Sequence, residues 1–207
     1  MSNSKLIPTV IAIMGLAFLA AYYVSSTRTP VQTDAVTAAD MTGPVLNIEV
    51  SGEANGTIRV QLFEKVAPQH VARIVELAEQ GSYDNVVFHR VIDGFMAQSG
   101  DVEFGRADGD TSGAGRGGSD LPDLPAEFSD VSFGRGVVGM ARSNSPDSAN
   151  SQFFIMFAPA PHLNGQYTVV GQVIEGLEIL DQIKRGEGPN GAMIGAPDVM
   201  SRVTVNQ

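Results

Sequence analysis

The chain has 207 residues and a formal net charge of −10, from 13 Lys and Arg against 23 Asp and Glu. This acidic balance argues against a general nucleic-acid binder, which needs a basic face to neutralise phosphates, and against an acidic membrane surface as the main partner. Cys is absent, which excludes disulfides, thiol nucleophiles, Cys-based zinc sites and iron–sulfur clusters, while a hydrophobic content of 43% is enough for a packed core.

An uncharged apolar run lies near the N-terminus, from Leu6 to Val24, between Lys5 and Arg28. Its length is close to the roughly 20 residues that span a bilayer and exceeds the usual apolar region of a signal peptide, about 7–15 residues. Pro8 shortens the effective apolar core, which favours a cleaved signal peptide, but no clear cleavage motif follows Val24. An uncleaved signal anchor is therefore preferred over cleavage. Either interpretation predicts export, periplasmic in a bacterium, with Lys5 left inside.

The next segment, Ser25 to Gly43, is small, polar and without periodicity, and it predicts a flexible tether. Residues 1–43 hold two basic and two acidic side chains, so the remaining 11 basic and 21 acidic groups all lie in residues 44–207. The whole net charge therefore belongs to this C-terminal segment of 164 residues, an ordinary domain size.

Residues 44–207 show mostly the alternation of β-strands. The first two strands flank Ala54-Asn55-Gly56, where an Asn-Gly pair suits a hairpin turn. The predicted strands are Val45–Val50, Thr57–Phe63, Val86–Ile92, Phe95–Gln98, Gly136–Ala141, Phe153–Phe157, Thr168–Val173 and Val199–Val205.

Two segments have helical rather than strand periodicity. Pro68 to Gln80 begins with a proline in its first turn and is followed by Gly81 as a C-terminal cap. Its expected apolar face is Val71, Ile74, Val75 and Ala78. The second helix fits Leu177–Lys184, with Leu180 and Ile183 inward. Eight short strands with two helices predict a mainly β fold, either a closed antiparallel barrel or a sandwich.

Two loop patterns resemble ligand motifs but lack their context. Gly113, Gly115 and Gly118 spell G-x-G-x-x-G, yet Asp120-Leu121-Pro122 follows instead of a helix, so a flexible glycine-rich loop is predicted rather than a nucleotide site. The acidic segment Asp101–Asp110 is interpreted as solvated surface, and the EF-hand-like start at Asp108 lacks the Glu at its twelfth position.

The three His residues, at 70, 89 and 162, have no spacing typical of metal ligands, so no metal is expected. His70 is expected on the surface of the first helix. No G-x-S-x-G motif marks a hydrolase nucleophile.

The stretch Tyr83–Asp101, YDNVVFHRVIDGFMAQSGD, places Arg90 in an apolar strand, which is costly unless its charge is paired or functional. This stretch resembles the signature of the cyclophilins, the barrel-fold peptidyl-prolyl cis-trans isomerases. The resemblance continues, in order and with compatible spacing, through Gly136–Arg142 (GVVGMAR), Asn150–Phe157 (NSQFFIMF) and His162–Gly171 (HLNGQYTVVG). The sequences of these motifs look most like those of bacterial members. It implies a closed eight-stranded antiparallel barrel capped by two helices.

The resemblance also implies roles for individual residues. Arg90 matches the catalytic arginine, with Gln98 as the second catalytic position, and His89 is expected to be a structural neighbour. The implied apolar wall of the substrate pocket is Phe95, Met96, Phe154 and Leu163. Gln152 is implied to hold the peptide backbone, and the main chain at Ala141 and Arg142 is implied to pair with the bound peptide. His162 and Tyr167 are implied to lie at the edge of the pocket.

Four positions depart from the family's usual pattern. His162 stands where cyclosporin-sensitive members carry Trp, which predicts weak cyclosporin binding. Tyr167 replaces a His common in eukaryotic members, Arg142 replaces a frequent Asn, and Ser99 replaces a Gly. None of these removes a group that the reaction needs.

Two functions remain open from the sequence. The first is an exported, monomeric proline isomerase acting on unfolded or partly folded proline-containing polypeptides, which needs no cofactor or metal because no bond is broken. The second is a noncatalytic holdase or docking module with the same peptide groove. Arg90, Phe95 and Gln98 favour the isomerase. A carrier of a small apolar ligand is disfavoured, because the interior of an eight-stranded barrel is filled by side chains.

Overall fold

The computed structural model describes residues 37–206, which form a curled antiparallel sheet with two α-helices. The helices are α1 (Pro68–Glu79) and α2 (Leu177–Gln182). The strands are β1 (Val45–Ser51), β2 (Gly56–Leu62), β3 (Val86–Val87), β4 (Arg90–Ile92), β5 (Met96–Ser99), β6 (Val137–Met140), β7 (Phe153–Met156), β8 (Val169–Glu175) and β9 (Val199–Asn206). The mainly β prediction with two helices is confirmed.

The sheet has nine strands rather than eight, because the predicted strand Val86–Ile92 is divided at Phe88-His89. The strand order is β3-β9-β1-β2-β8-β6-β7-β5-β4, so the two end strands, β3 and β4, follow one another directly in the chain. β3 pairs with β9 and β4 pairs with β5. The sheet therefore curls until its two ends meet in one stretch of chain, and that stretch leads into Arg90.

The space enclosed by the curled sheet is filled by side chains. A large buried cluster joins strand residues such as Ile48, Ile58 and Ile155 to the inner face of α1. A smaller cluster, which includes Met96, Phe133 and Phe154, lies under the other face of β5 to β8. This packing disfavours the carrier interpretation, because the barrel interior is occupied by the protein itself.

Helix α1 ends as predicted. The Ser82 amide donates to the Leu77 carbonyl at 2.8 Å and the Gly81 amide to the Ala78 carbonyl at 3.0 Å, with Gly81 at a φ of +69°. These two bonds form a Schellman motif, in which glycine accepts the left-handed conformation at no steric cost. Gln80 is the capping residue rather than the last helical one.

The prediction for His70 is wrong, because its side chain is fully buried. Its Nδ1 lies 2.7 Å from Oε2 of Glu127, and the same carboxylate accepts the backbone amides of Gln69 and His70. Burial alone would raise the pKa of Glu127, but hydrogen bonds from His70 and Gln69 outweigh it and lower the pKa. Glu127 thus caps the N-terminus of α1 from a distant loop, where a carboxylate is favoured by the free amides. That partner is 57 positions away.

Two other local predictions differ from the structure. The β1–β2 hairpin forms, but Val50 pairs with Gly56, so the connection is longer than a two-residue Asn-Gly turn. The buried Asp198 carboxylate accepts the Ala54 amide at 3.0 Å and shapes this loop. The second helix was predicted to reach Lys184, but α2 ends at Gln182. Ile183 is no longer helical, and the Lys184 amide donates to the Asp198 carboxylate at 2.7 Å instead of continuing the helix.

The N-terminal segment is described only from residue 37 onward. Residues 37–43 include a turn in which the Asp40 carboxylate accepts the amide and the hydroxyl of Thr37, at 3.0 and 2.6 Å. The apolar run 6–24 lies outside the described residues. Within residues 37–206 neither helix has the length and apolar character to cross a bilayer.

Candidate active site

Side chains of the β4–β5 hairpin alternate between the face that packs on the main core and the opposite face. Arg90 pairs with Gln98, Val91 with Ala97, and Ile92 with Met96. Because side chains alternate along a strand, the buried pair Val91 and Ala97 faces the core, while Arg90 and Gln98 face the opposite side. The next register, Gln98 with Phe154, adds an aromatic ring of β7 to the outward face.

The Arg90 guanidinium is held by three hydrogen bonds to oxygen acceptors, and its Nη1 also lies 3.9 Å from Sδ of Met96. Its Nη1 donates to Oε1 of Gln98 at 3.1 Å, its Nε to the backbone carbonyl of Asn190 at 3.0 Å, and its Nη2 to Oδ1 of Asn190 at 3.0 Å. Partial burial lowers the pKa of Arg90 below its ordinary value, yet a guanidinium remains protonated at neutral pH. The site therefore contains a cation of defined orientation.

The amides of Gln98 and Gln152 continue this network. Nε2 of Gln98 donates to Oε1 of Gln152 at 2.9 Å, and Nε2 of Gln152 donates to the Gly117 carbonyl at 2.8 Å. The Arg90 guanidinium orients Gln98, since it can only donate and the amide oxygen must accept. Each donor and acceptor in the chain from Arg90 through Gln98 and Gln152 to the Gly117 carbonyl is thus assigned.

A pocket with an apolar wall, formed by Phe95, Met96, Phe154 and Leu163, lies beside Arg90. Phe95 stacks on His162 with ring centroids 5.8 Å apart, and Phe154 meets Tyr167 edge to face, also at 5.8 Å. The cavity has a volume of about 320 Å³. It is lined by Arg90, Phe95, Met96, Gln98, Ala141, Arg142, Phe154, His162, Leu163 and Tyr167.

A second cavity of about 550 Å³, lined mostly by polar residues and glycines, adjoins the first and shares Gln98, Ala141 and Arg142 with it. Gln152 lines this second cavity and not the apolar one. Arg142 borders both; its guanidinium lies 4.4 Å from the centre of the Tyr167 ring and donates to the Gln166 carbonyl. The structure thus brings all eleven predicted site residues to two adjoining cavities.

The glycine-rich loop beside the second cavity is built on a buried carboxylate. Asp101 is fully buried, so its interpretation as solvated surface is wrong. Its two oxygens accept four backbone amides, from Glu103, Phe104, Gly115 and Gly117, at 2.7–3.1 Å. The protein's own carboxylate occupies the loop amides that a phosphate would need, which supports the rejection of a nucleotide site.

His89, next to Arg90 in the chain, lies buried against this loop at Gly115, at 9% exposure. Neither of its ring nitrogens has a hydrogen-bond partner within residues 37–206. Burial lowers its pKa from 6.5 to about 4, although the nearby Asp101 carboxylate opposes the shift. A neutral ring at physiological pH is consistent with a structural neighbour rather than a proton donor.

The shifted pKa of His89 predicts an acid-dependent loss of stability. The unfolded chain takes up a proton near pH 6.5 and the folded protein only near pH 4, so this stability is complete above pH 6.5 and is lost as pH falls toward 4. Between pH 7 and about pH 4.5 we expect His89 to account for about 2 kcal/mol of the decrease in unfolding free energy. Denaturant unfolding of wild type and His89→Gln at both pH values measures this, and equal decreases in the two proteins would contradict it.

Asn190, which accepts two hydrogen bonds from Arg90, is absent from the sequence prediction. It lies on the connection between α2 and β9, in a one-turn 3-10 segment, Pro189–Gly191. In the sequence, Pro-Asn-Gly indicates only a turn. Its contact with Arg90, 100 positions away, is visible only in the folded chain.

Within residues 37–206 there is no group of three or more His, Cys, Asp or Glu arranged to hold a metal ion. The network and the pocket present hydrogen bonds from fixed polar groups, the positive charge of Arg90 and apolar contact.

Comparison with known proteins agrees with this geometry. The family model "Cyclophilin type peptidyl-prolyl cis-trans isomerase/CLD" matches residues 45–205. A probable peptidyl-prolyl cis-trans isomerase of Brucella suis is 54% identical over 154 residues, covering 73% of this chain and 78% of the relative. A peptidyl-prolyl cis-trans isomerase of Arabidopsis thaliana is 37% identical over 157 residues, covering 73% of this chain and 91% of the relative.

Solved structures show the same fold. A cyclophilin-type isomerase of Cryptosporidium parvum, crystallised in the presence of the dipeptide Ala-Pro, matches with a TM-score of 0.66 at 25% identity, covering 79% of this chain and 99% of that one. The cyclophilin AquaCyp293 of Hirschia baltica matches with a TM-score of 0.62, also at 25% identity, covering 81% and 74%. The chain belongs to the cyclophilin-type peptidyl-prolyl cis-trans isomerases.

Proposed function

We propose that the Arg90 cleft binds X–Pro segments of polypeptides and accelerates their cis-trans isomerisation without a covalent intermediate. The observation that carries this proposal is a guanidinium of defined orientation at the edge of an apolar pocket of about 320 Å³. The structure solved in the presence of Ala-Pro supports it by fold similarity.

The reaction to be accelerated is rotation about a partly double bond. The peptide C–N bond has a rotation barrier of about 18–20 kcal/mol, and X–Pro bonds interconvert over tens to hundreds of seconds. In the twisted state the amide loses conjugation and the prolyl nitrogen gains lone-pair character. An enzyme therefore needs only to bind this state more tightly than either planar isomer.

Arg90 is suited to that selective binding. A guanidinium is always charged and presents donors in a rigid plane, so it can donate to the prolyl nitrogen once its lone pair is released. The apolar pocket lowers the local dielectric, which strengthens this interaction. A millionfold acceleration would require about 8 kcal/mol of selective stabilisation.

The remaining site residues bind and orient the peptide. In this proposal the proline ring enters the pocket formed by Phe95, Met96, Phe154 and Leu163, where it gains apolar contact. The amides of Gln98 and Gln152 and the main chain at Ala141 hold the peptide backbone along the rim shared by the two cavities. Holding both sides of the X–Pro bond lets rotation occur about that bond alone.

The activity is tested by NMR exchange measurements on a short X–Pro peptide with catalytic amounts of the full-length chain. We expect exchange between cis and trans resonances far faster than in buffer. Exchange indistinguishable from buffer would exclude the isomerase and leave the holdase, which is tested by suppression of aggregation of an unfolded client.

For the cellular location, we propose that the apolar run 6–24 exports the domain and remains as an anchor in the inner membrane. The support is the length of the uncharged run and the absence of a clear cleavage motif after Val24. The clients would then be unfolded or partly folded proteins outside the cytoplasm, bound by a monomeric domain.

Intact-mass measurement and membrane fractionation of the expressed full-length chain test the anchor. We expect the uncleaved mass in the membrane fraction, released by detergent and not by high salt. A soluble species beginning near Thr27 would show cleavage instead.

A further inference from the structure

The Arg90 guanidinium is held largely from outside the sheet, by Asn190. The backbone carbonyl of Asn190 accepts from Nε, and its side-chain Oδ1 accepts from Nη2, each at 3.0 Å. Gln98 accepts from Nη1 only. A guanidinium has five donors in one plane, so two acceptors from one residue define the orientation of that plane more strongly than a single bond.

The loop that carries Asn190 is seated firmly on the strand of Arg90. Arg90 forms a bridge with Ala192, and the Gly186 amide donates to the Val91 carbonyl at 2.9 Å. A Cβ at Gly191 would lie 2.4 Å from Cγ1 of Ile92, so no larger residue fits there without displacement. The position of Asn190 relative to Arg90 is therefore set by packing of the loop on β4.

The backbone conformation of Asn190 restricts which residue can do this. Its φ is +56°, in the left-handed region that Asn and Gly adopt most readily. Gly would keep the backbone carbonyl but lacks Oδ1, and most other residues would be strained. Asn190 combines the required conformation with a neutral second acceptor, which leaves the positive charge of Arg90 uncompensated.

We propose that Asn190 is a positioning residue for catalysis, which orients the Arg90 guanidinium toward the twisted X–Pro amide. This inference rests on the proposed isomerase function. Asn190 itself does not contact the reacting bond in this role, so its effect passes through Arg90 alone.

The decisive variant is Asn190→Gly, made in the full-length wild type and in Arg90→Ala. Asn85→Gly is the matched control, because Asn85 is also exposed and left-handed, at a φ of +62°, and is outside the site. NMR exchange yields the interconversion rate on the enzyme and the peptide dissociation constant separately. We expect Asn190→Gly to lower the on-enzyme rate about tenfold, as for loss of one hydrogen bond to a charged group, with peptide affinity and the Asn85→Gly rate unchanged.

The double variant separates positioning from a general structural effect. With Arg90 already replaced by Ala, Asn190→Gly should cause no further loss, because the group it positions is gone. Equal losses in both backgrounds, or an Asn190→Gly rate within twofold of Asn85→Gly, would overturn the positioning role while leaving the isomerase intact. An Arg90→Ala variant as active as wild type would overturn both.

A measurement on the unsubstituted protein makes the test independent of variant folding. Two acceptors on Asn190 should slow rotation about the Nε–Cζ bond of Arg90 relative to an arginine with solvent-exposed donors, and this rotation is observable in ¹⁵N NMR of the guanidinium. Rotation as fast as that of such an arginine would overturn the inference.

Discussion

Replacing Arg90 with Ala is expected to lower kcat/KM for X–Pro isomerisation by about 10²–10³-fold, the loss typical of removing one oriented donor from a site where charge develops. Peptide binding should weaken much less, because the pocket of Phe95, Met96, Phe154 and Leu163 remains. The folded state should also persist, since Arg90 is half-buried and its head lies outside the core. NMR exchange on an X–Pro peptide, with the affinity measured in parallel, checks both parts.

Two further variants sharpen this prediction. Arg90→Lys keeps the charge but loses the planar set of donors, so it should recover only part of the activity. Arg59→Ala is the matched control, because Arg59 is a surface arginine of β2 paired with Glu175 and lies outside the site. If Arg90→Ala retains activity within twofold of Arg59→Ala, the guanidinium is not the source of catalysis. Equal suppression of client aggregation by Arg90→Ala and wild type would show that a binding role exists beside the isomerase.

The largest effect on stability is expected at Asp101. Asp101→Ala removes a fully buried carboxylate that accepts four backbone amides of the glycine-rich loop and its neighbours. The amides left without an acceptor should lower the free energy of unfolding by about 3–5 kcal/mol, comparable to breaking a buried charged network. Denaturant unfolding near pH 7 measures this difference.

The control for Asp101 lies in the same acidic segment. Asp110 is exposed and accepts one amide, that of Ser112 at 2.9 Å, so Asp110→Ala should leave stability nearly unchanged. An Asp101→Ala protein within 1 kcal/mol of the Asp110→Ala protein would contradict the anchoring role. Because the Gly117 carbonyl accepts from Gln152, we also expect a partial loss of activity in any folded Asp101 variant.

The secondary structure was largely predictable, because each strand and helix carries its own periodicity. Seven of the eight predicted strands occur within one or two residues of their predicted bounds, and α1 begins at Pro68 and is closed by Gly81 as its end residues indicate. The division of Val86–Ile92 into β3 and β4 was not predictable. It arises because one end of the stretch pairs with β9 and the other with β5, and pairing between distant strands leaves no local pattern.

The candidate site was likewise predictable only in part. Arg90 stands out as a charged residue in an apolar strand, and the resemblance of the surrounding motifs to the cyclophilins implied eleven positions that the structure brings to two adjoining cavities. The hydrogen-bond partners of polar groups were not predicted: Glu127 beside His70, the loop amides around Asp101, and Asn190 beside Arg90. A charged or polar residue near a sequence turn is usually solvated, so the simple expectation is exposure.

The sequence by itself determined an acidic, cysteine-free domain of alternating strands with one conspicuous arginine. Tertiary structure alone decided which polar groups are buried and what satisfies them. The physical reason is the cost of burying a polar group without a partner, which the chain meets through contacts between residues far apart in sequence. Arg90 is the clearest example: its strand can be recognised from neighbouring residues, while its orientation depends on Asn190, 100 positions away.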